Sequence, residues 1–315
     1  MTIKIEGDAP EVVRIKTGLW SFDRAVGNPR TGEVGLPARS LVELFGHVHC
    51  GKSTLAYYLS GCGNPKGTVV LADVEGVDRE FLISAAGQSG FGGTIRIVPE
   101  MEKKKPRPQE EMLMELADSL WEESVTSGIF DSVSSFAPRA EKEGEIGERF
   151  VGNRAFAIAQ FSRRATQALR ESEIPKNVYV INHQYQIIGG MGYVTAGGKV
   201  LEALKGVSIR IWRSASPGDK INHELDHFVA MGKINKLRFG GKGREFRVCL
   251  LAGQGVHRGL TAMFDCVEAG RAERTKQGYI KIGDKSVGRI GELIAAAEGD
   301  KDKTFEPFIE ALEAT

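Results

Sequence analysis

Short apolar runs bounded by glycine alternate with segments of helical spacing along this chain. Residues 40–46 (SLVELFG) read as a buried strand, followed by a glycine-bounded loop and an apolar helical start, TLAYYLSG. GTVVLAD (67–73) and TIRIV (94–98) read as further strands, with a helix predicted over 78–87 between them. Helical periodicity returns over 110–124 and 151–173, and NVYVIN (177–182) and VSIRIW (207–212) read as strands. Ile3 and Ile5 alternate like a small strand. Strand and helix in alternation predict an α/β fold with a mostly parallel sheet covered on both faces. VTSGIF, just before Asp131, is less apolar than such a buried strand should be. EMEKKKPRPQEE (100–111) is a solvated break; its Lys103–Lys105 run, beside four glutamates and two prolines, reads as a charged loop before a nucleic-acid contact. After about residue 258 the pattern turns to short helices. The division expected is an arm at 1–16, a core at 17–257 and a small C-terminal α/β domain at 258–315.

The length, 315 residues, fits two domains or one large α/β unit with an appendage. Hydrophobic residues make up 41% and charged residues 26%, which excludes a disordered chain and a disulfide scaffold. Lys and Arg number 42 against 41 acids. With no basic excess, any site for a polyanion must be a local patch. No stretch approaches a membrane-spanning length, and MTIKIEGDAP lacks a signal-peptide pattern, so a cytoplasmic location is expected. Cys50, Cys62, Cys249 and Cys266 form no CxxC pair and read as small buried hydrophobes rather than zinc ligands.

The chemistry begins at Gly46-His47-Val48-His49-Cys50-Gly51-Lys52-Ser53-Thr54, which is GxxxxGK[ST] between a predicted strand and a predicted helix. Glycines let backbone N–H groups curl around phosphate oxygens, and the helix adds its positive end. Lys52 is placed to reach the β- and γ-phosphates and Ser53 to ligate Mg²⁺. His47, His49 and Cys50 fill variable positions and read as loop filler before a metal site. Hydrolysis also needs a metal-orienting carboxylate and a group that activates water. Asp131 and Glu75 stand at predicted strand ends, where ligands bind in open α/β sheets; helix capping is the competing role for each.

Around these residues the sequence resembles the RecA family of recombinases. DSVSSFAPRAEKEGEIGERFVGNRAFAIAQFSRRA (131–165) is similar to that family's first DNA-binding loop and following helix, with EGEIG (143–147) especially close. RIKTGLWSFDRAVG through SLVELFG (14–46), VINHQ (180–184), TAGGKVLEALKGVSIRIWR (195–213) and KINKLRF with GREF (233–246) match further family segments in order. The likeness runs from about residue 14 to 290.

The resemblance implies a RecA-type P-loop NTPase core using ATP and Mg²⁺. Glu75 would activate water, Asp131 would order the Mg²⁺ shell, and Gln184 would sense the γ-phosphate and inform the second DNA loop. Asp78 and Phe81 match positions that hold adenine. Val151, Gly152, Asn153 and Arg154 match the first DNA loop and its exit, Arg163 a backbone contact, and Gly197, Gly198 and Lys199 the second loop. Lys236 would reach a neighbouring subunit's ATP, with Lys233 a substitute for a second such lysine whose place Ile234 takes. The partners implied are single-stranded DNA, homologous duplex and further copies of the chain, in a helical filament or a ring. The activity implied is DNA-dependent ATP hydrolysis coupled to strand exchange; a ring helicase, an annealing protein or a recombination mediator on the same core is the rival.

The residues lend this their own support. Arg154, Arg163, Arg164 and Arg170 lie on or beside one predicted helix, a stripe suited to phosphate contacts, although a solvated face is the usual fate of such arginines. GGMGYVTAGGK (189–199) suits a loop ordered by a ligand as well as a plain flexible loop, and Tyr193 offers a ring that could stack on a base. The chain departs from the family in its arm of about 16 residues, its shorter second loop and Lys199 in place of an asparagine.

Overall fold

A computed structural model describes residues 12–102, 104–144, 152–187, 192–216, 221, 226–238, 240–299 and 302–314. Ile3, Ile5, Lys103 and Val151 lie outside the described residues. The chain opens with β1 (Arg14–Ile15), α1 (Trp20–Ala25), β2 (Leu36–Pro37), β3 (Ser40–Gly46) and α2 (Lys52–Cys62). It continues through β4 (Thr68–Asp73), α3 (Arg79–Gly87), β5 (Thr94–Ile97), β6 (Met101–Glu102), β7 (Lys105–Pro106), α4 (Gln109–Ser119) and β8 (Val125–Asp131). Next come α5 (Arg139–Glu143), α6 (Asn153–Glu171), β9 (Asn177–Gln186), β10 (Tyr193–Thr195), α7 (Gly198–Leu204) and β11 (Val207–Arg213). β12 (Phe228–Leu237), β13 (Glu245–Leu251), β14 (Gly255–Val256) and α8 (Arg258–Glu268) follow. The last elements are β15 (Glu273–Arg274), β16 (Tyr279–Ile282), β17 (Lys285–Arg289), α9 (Ile290–Glu298) and α10 (Glu306–Glu313).

The main sheet runs β14-β13-β12-β11-β3-β9-β8-β4-β5, with β10 paired to β9. From β11 to β5 every neighbouring pair is parallel, as the alternation of strand and helix requires. β12, β13 and β14 add an antiparallel edge. The interior strands are buried on both faces, so successive residues feed two cores. Tyr179 and Ile181 of β9 pack with Leu55 and Leu59 of α2. Val178 and Val180 pack on the opposite face with Phe161 of α6, Leu116 of α4 and Leu201 of α7.

β8 is fully buried despite its small and polar residues. The Ser127 hydroxyl donates to the Ser60 carbonyl at 2.9 Å. A Cβ on Gly128 would stand 3.1 Å from Leu116 and 3.2 Å from Leu120, so the small residue lets α4 lie close to the strand. The weak apolar character of this segment is therefore the cost of close packing.

Three expectations shift. α4 stops at Ser119, short of 124, and β9 runs past residue 182 to Gln186 because β10 pairs with its end. The C-terminal segment carries, besides helices, the antiparallel sheet β15-β16-β17. Its core joins Phe305 and Phe308 to Leu260 of α8 and to Val229, Cys249 and Leu251 of the main sheet.

Candidate active site and nucleic-acid interface

β3 delivers the chain into the loop at Gly46 and α2 leaves it at Lys52. Gly51 has φ +89°, and a Cβ there would come within 2.1 Å of Leu250 Cδ1. Only glycine meets both demands. His47, Val48 and His49 form the exposed tip, whereas Cys50 is buried and donates its thiol to the Ile211 carbonyl at 3.3 Å. Burial raises that thiol's pKa, so Cys50 is an anchor of the loop. The Lys52 ammonium donates to the His47 carbonyl at 2.6 Å.

Asp131, at the end of β8, lies beside Ser53 and accepts from the Tyr57 hydroxyl at 3.2 Å. Burial pushes its carboxyl up to about 6, against the pull of Ser53. Its Oδ1 is buried without a partner. An orphaned carboxylate oxygen next to a loop serine fits a hydrated Mg²⁺. Glu75 Oε1 accepts from the Ser132 hydroxyl and, at 2.7 Å, from the Ser135 hydroxyl. Burial alone would raise the Glu75 carboxyl, but these bonds and nearby His183 outweigh it and hold it below its ordinary value.

Four of these groups escaped the sequence reading: Ser132, Ser135, His183 and Asp73. Asp73 is buried and accepts from the backbone N–H groups of Glu75 at 3.0 Å, Gly76 at 3.1 Å and Val77 at 2.5 Å. This turn around one carboxylate fixes the backbone that presents Glu75. The D-x-E spacing after an apolar strand is its sequence signal.

The remaining expected residues divide. Asp78 caps α3, accepting from the Phe81 N–H at 2.7 Å, and the Phe81 ring meets Tyr57 edge-on at 6.4 Å. Gln184 is turned away from Lys52 and Glu75: its Oε1 accepts from Arg210 Nε at 3.0 Å. Lys236 donates to the carbonyls of Glu202 at 2.5 Å and Ala203 at 3.3 Å, closing the C-terminal end of α7. Lys233 pairs with Glu245 at 2.9 Å, and Ile234 is buried.

Residues 145–151 and 188–191 lie outside the described residues; the described ends of the segments expected to meet DNA meet where α6 and α7 start. Gly152 and Gly197, at φ +100° and +105°, start α6 and α7. The two helix starts touch: a Cβ on Gly198 would stand 3.1 Å from Ala155 Cβ, and one on Gly197 3.4 Å from Ile158. Asn153 and Lys199 are exposed there. Arg163 and Arg170 share an exposed helix face with Phe156. Arg164 is turned to Asp118 at 3.2 Å, and Arg154 pairs with Glu141 at 3.3 Å and donates to the Ser134 carbonyl. Beneath this face lies a buried network. Glu43 accepts from Lys205 at 2.6 Å, Ser208 at 2.7 Å and Asn182 at 3.0 Å, and Asn182 also reaches the Ala196 carbonyl at 2.8 Å. A buried charge this fully paired holds the end of the second loop to the sheet.

A glycine loop between strand and helix, with carboxylates at the ends of neighbouring parallel strands, defines a P-loop nucleoside-triphosphate site. A family model described as the RecA N-terminal domain matches residues 2–256, and the chain belongs to the RecA family. Among curated relatives it is 29% identical over 299 residues to the protein RecA of Oleidesulfovibrio alaskensis, covering 93% of this chain and 80% of that protein. It is 28% identical over 293 residues to that of Bifidobacterium longum, covering 89% and 68%. It is 26% identical over 306 residues to that of Thermus thermophilus, covering 95% and 85%.

Proposed function

We propose that the chain is an ATP-dependent DNA recombinase that assembles as a helical filament on single-stranded DNA and exchanges strands with a homologous duplex. The observation that carries this reading is the two-sided sheet. Asp131 lies beside Ser53 and Glu75, Lys52 and Glu75 both act on His183, and the starts of α6 and α7 meet on the other side of the sheet.

Lys52 leaves the His47 carbonyl to neutralise the β- and γ-phosphates, and the Gly46–Thr54 backbone cradles them. Ser53 and Asp131 would hold Mg²⁺, which when bound supplies charge neutralisation on the phosphates. Glu75, ionised at neutral pH, accepts the proton of the attacking water, and Ser132 and Ser135 keep its carboxylate aimed. Asp78 and Phe81 flank the base. Lys236, with Lys233 on the same strand, reaches across to the site of an adjoining subunit. Asn153, Arg154, Arg163, Gly197, Gly198 and Lys199 contact the DNA backbone, and base pairing alone reads the sequence.

The test is strand exchange between a circular single strand and its homologous linear duplex, with and without ATP. Exchange should require ATP and homology and should vanish in Lys52→Ala. ATP-independent annealing without exchange would overturn the reading.

A further inference from the structure

β9 presents neighbouring side chains to opposite faces of the sheet. Tyr179 and Ile181 belong to the core on the α2 side, Val178 and Val180 to the core on the α6 side. The same alternation carries on to His183 and Gln184. His183 Nε2 lies 3.6 Å from Glu75 Oε1. Burial first, then the charge of Lys52, lowers the pKa of its imidazole despite the opposing pull of Glu75. A neutral imidazole keeps one N–H to donate. Glu75 already accepts from two serine hydroxyls, so the longer His183 contact is the one most easily exchanged for an anionic oxygen.

Gln184 faces the other way. Besides accepting from Arg210, it stands opposite Thr195 in the β9–β10 pairing, while Tyr193 stands opposite Gln186. The Arg210 guanidinium carbon lies 4.1 Å from the centre of the Tyr193 ring. Arg210 is thus clamped between the strand that carries His183 and the strand that begins the second loop's return.

We propose that nucleotide sensing is divided here between adjacent residues: His183 contacts the terminal phosphate of ATP, and Gln184 with Arg210 transmits the resulting shift of β9 to Tyr193 and β10. The resemblance assigns both tasks to Gln184 alone. The division follows from the period of the strand, because one side chain cannot serve both faces. It rests on the ATPase reading above. Gln184 and Arg210 are positioning residues in this scheme, and His183 is the group that touches nucleotide.

The experiment measures two affinities in the full chain: for fluorescent ATPγS against fluorescent ADP, and for a labelled oligo-dT with each nucleotide present. His183→Ala should reduce the preference for ATPγS over ADP roughly 10–100-fold, the range for a lost hydrogen bond to a charged group, and His183→Gln should restore part of it. Gln184→Ala and Arg210→Ala should keep that preference and lose the gain in oligo-dT affinity that ATPγS brings. Arg210→Lys, which keeps the charge without the planar stack, should lose most of the gain, and an unchanged circular dichroism spectrum separates this from misfolding. Loss of nucleotide preference in Gln184→Ala with none in His183→Ala would overturn the division. So would an intact DNA response in Arg210→Ala. A wild-type chain that binds neither nucleotide overturns the ATPase reading itself.

Discussion

Asp73, two residues before Glu75, builds the turn that presents the proposed catalytic carboxylate. Its carboxylate holds three consecutive N–H groups of the turn that presents Glu75. Asp73→Ala leaves these donors without their partner, and a drop of about 1–3 kcal/mol in urea unfolding is expected. ATP turnover should fall as well, while nucleotide affinity stays near that of the wild type, since Lys52 and the phosphate loop are untouched. The sequence singles out Glu75 and Asp131 as acids near the ends of strands in a chain with a phosphate loop; the structure ends β8 at Asp131 and puts Glu75 in the turn just after β4. His183 was not legible in the sequence. NVYVIN is apolar on both faces, so no alternation of hydrophobic and polar residues reveals which way residue 183 points. Only the packing of Tyr179 and Ile181 against α2 sets that phase.

At the scale of elements, the phosphate loop packs closely against the antiparallel edge of the sheet. Gly51→Ala forces a Cβ to 2.1 Å from Leu250 and a left-handed backbone on an L side chain. The backbone term alone is worth about 1–2 kcal/mol. Thermal melts of Gly51→Ala with and without Leu250→Ala should show the double variant recovering the steric part and keeping the backbone part. α1 and α8 meet through a second buried acid. The Ser21 N–H donates to Asp265 Oδ2 at 3.0 Å, and Asp265 Oδ1 is buried without a partner. Burial pushes this carboxyl up to about 7, against the pull of the Ser21 bonds and Arg247. The folded chain therefore keeps a proton that the unfolded chain loses near the ordinary carboxylate value. Stability should fall as pH rises from about 4 towards 7, by about 3 kcal/mol from this group. Asp265→Asn keeps the acceptor for Ser21 and should remove that slope in denaturant titrations across the interval. The parallel strands and their helices were legible from alternating apolar runs. The β15-β16-β17 sheet was not, because strands of two to five residues with exposed ends carry little period to read.

For the whole molecule, the balance of 42 basic against 41 acidic residues places no general field around the chain. Arg154 and Arg164 are paired with acids, Lys199 stands exposed where α7 begins, and Arg163 and Arg170 are exposed further along α6. In the proposed filament a few inward cations per subunit suffice because many subunits line one strand, and affinity for single-stranded DNA should weaken steeply with salt. The proposed nucleotide and DNA faces share β9 and β3, so what happens at Lys52 and Glu75 has a short path to the proposed DNA side. ATP turnover by the purified chain, measured with and without single-stranded DNA and beside Glu75→Gln, tests that link most directly. Turnover should rise severalfold with single-stranded DNA and disappear in Glu75→Gln. Turnover indifferent to DNA, or retained in Glu75→Gln, would contradict this reading.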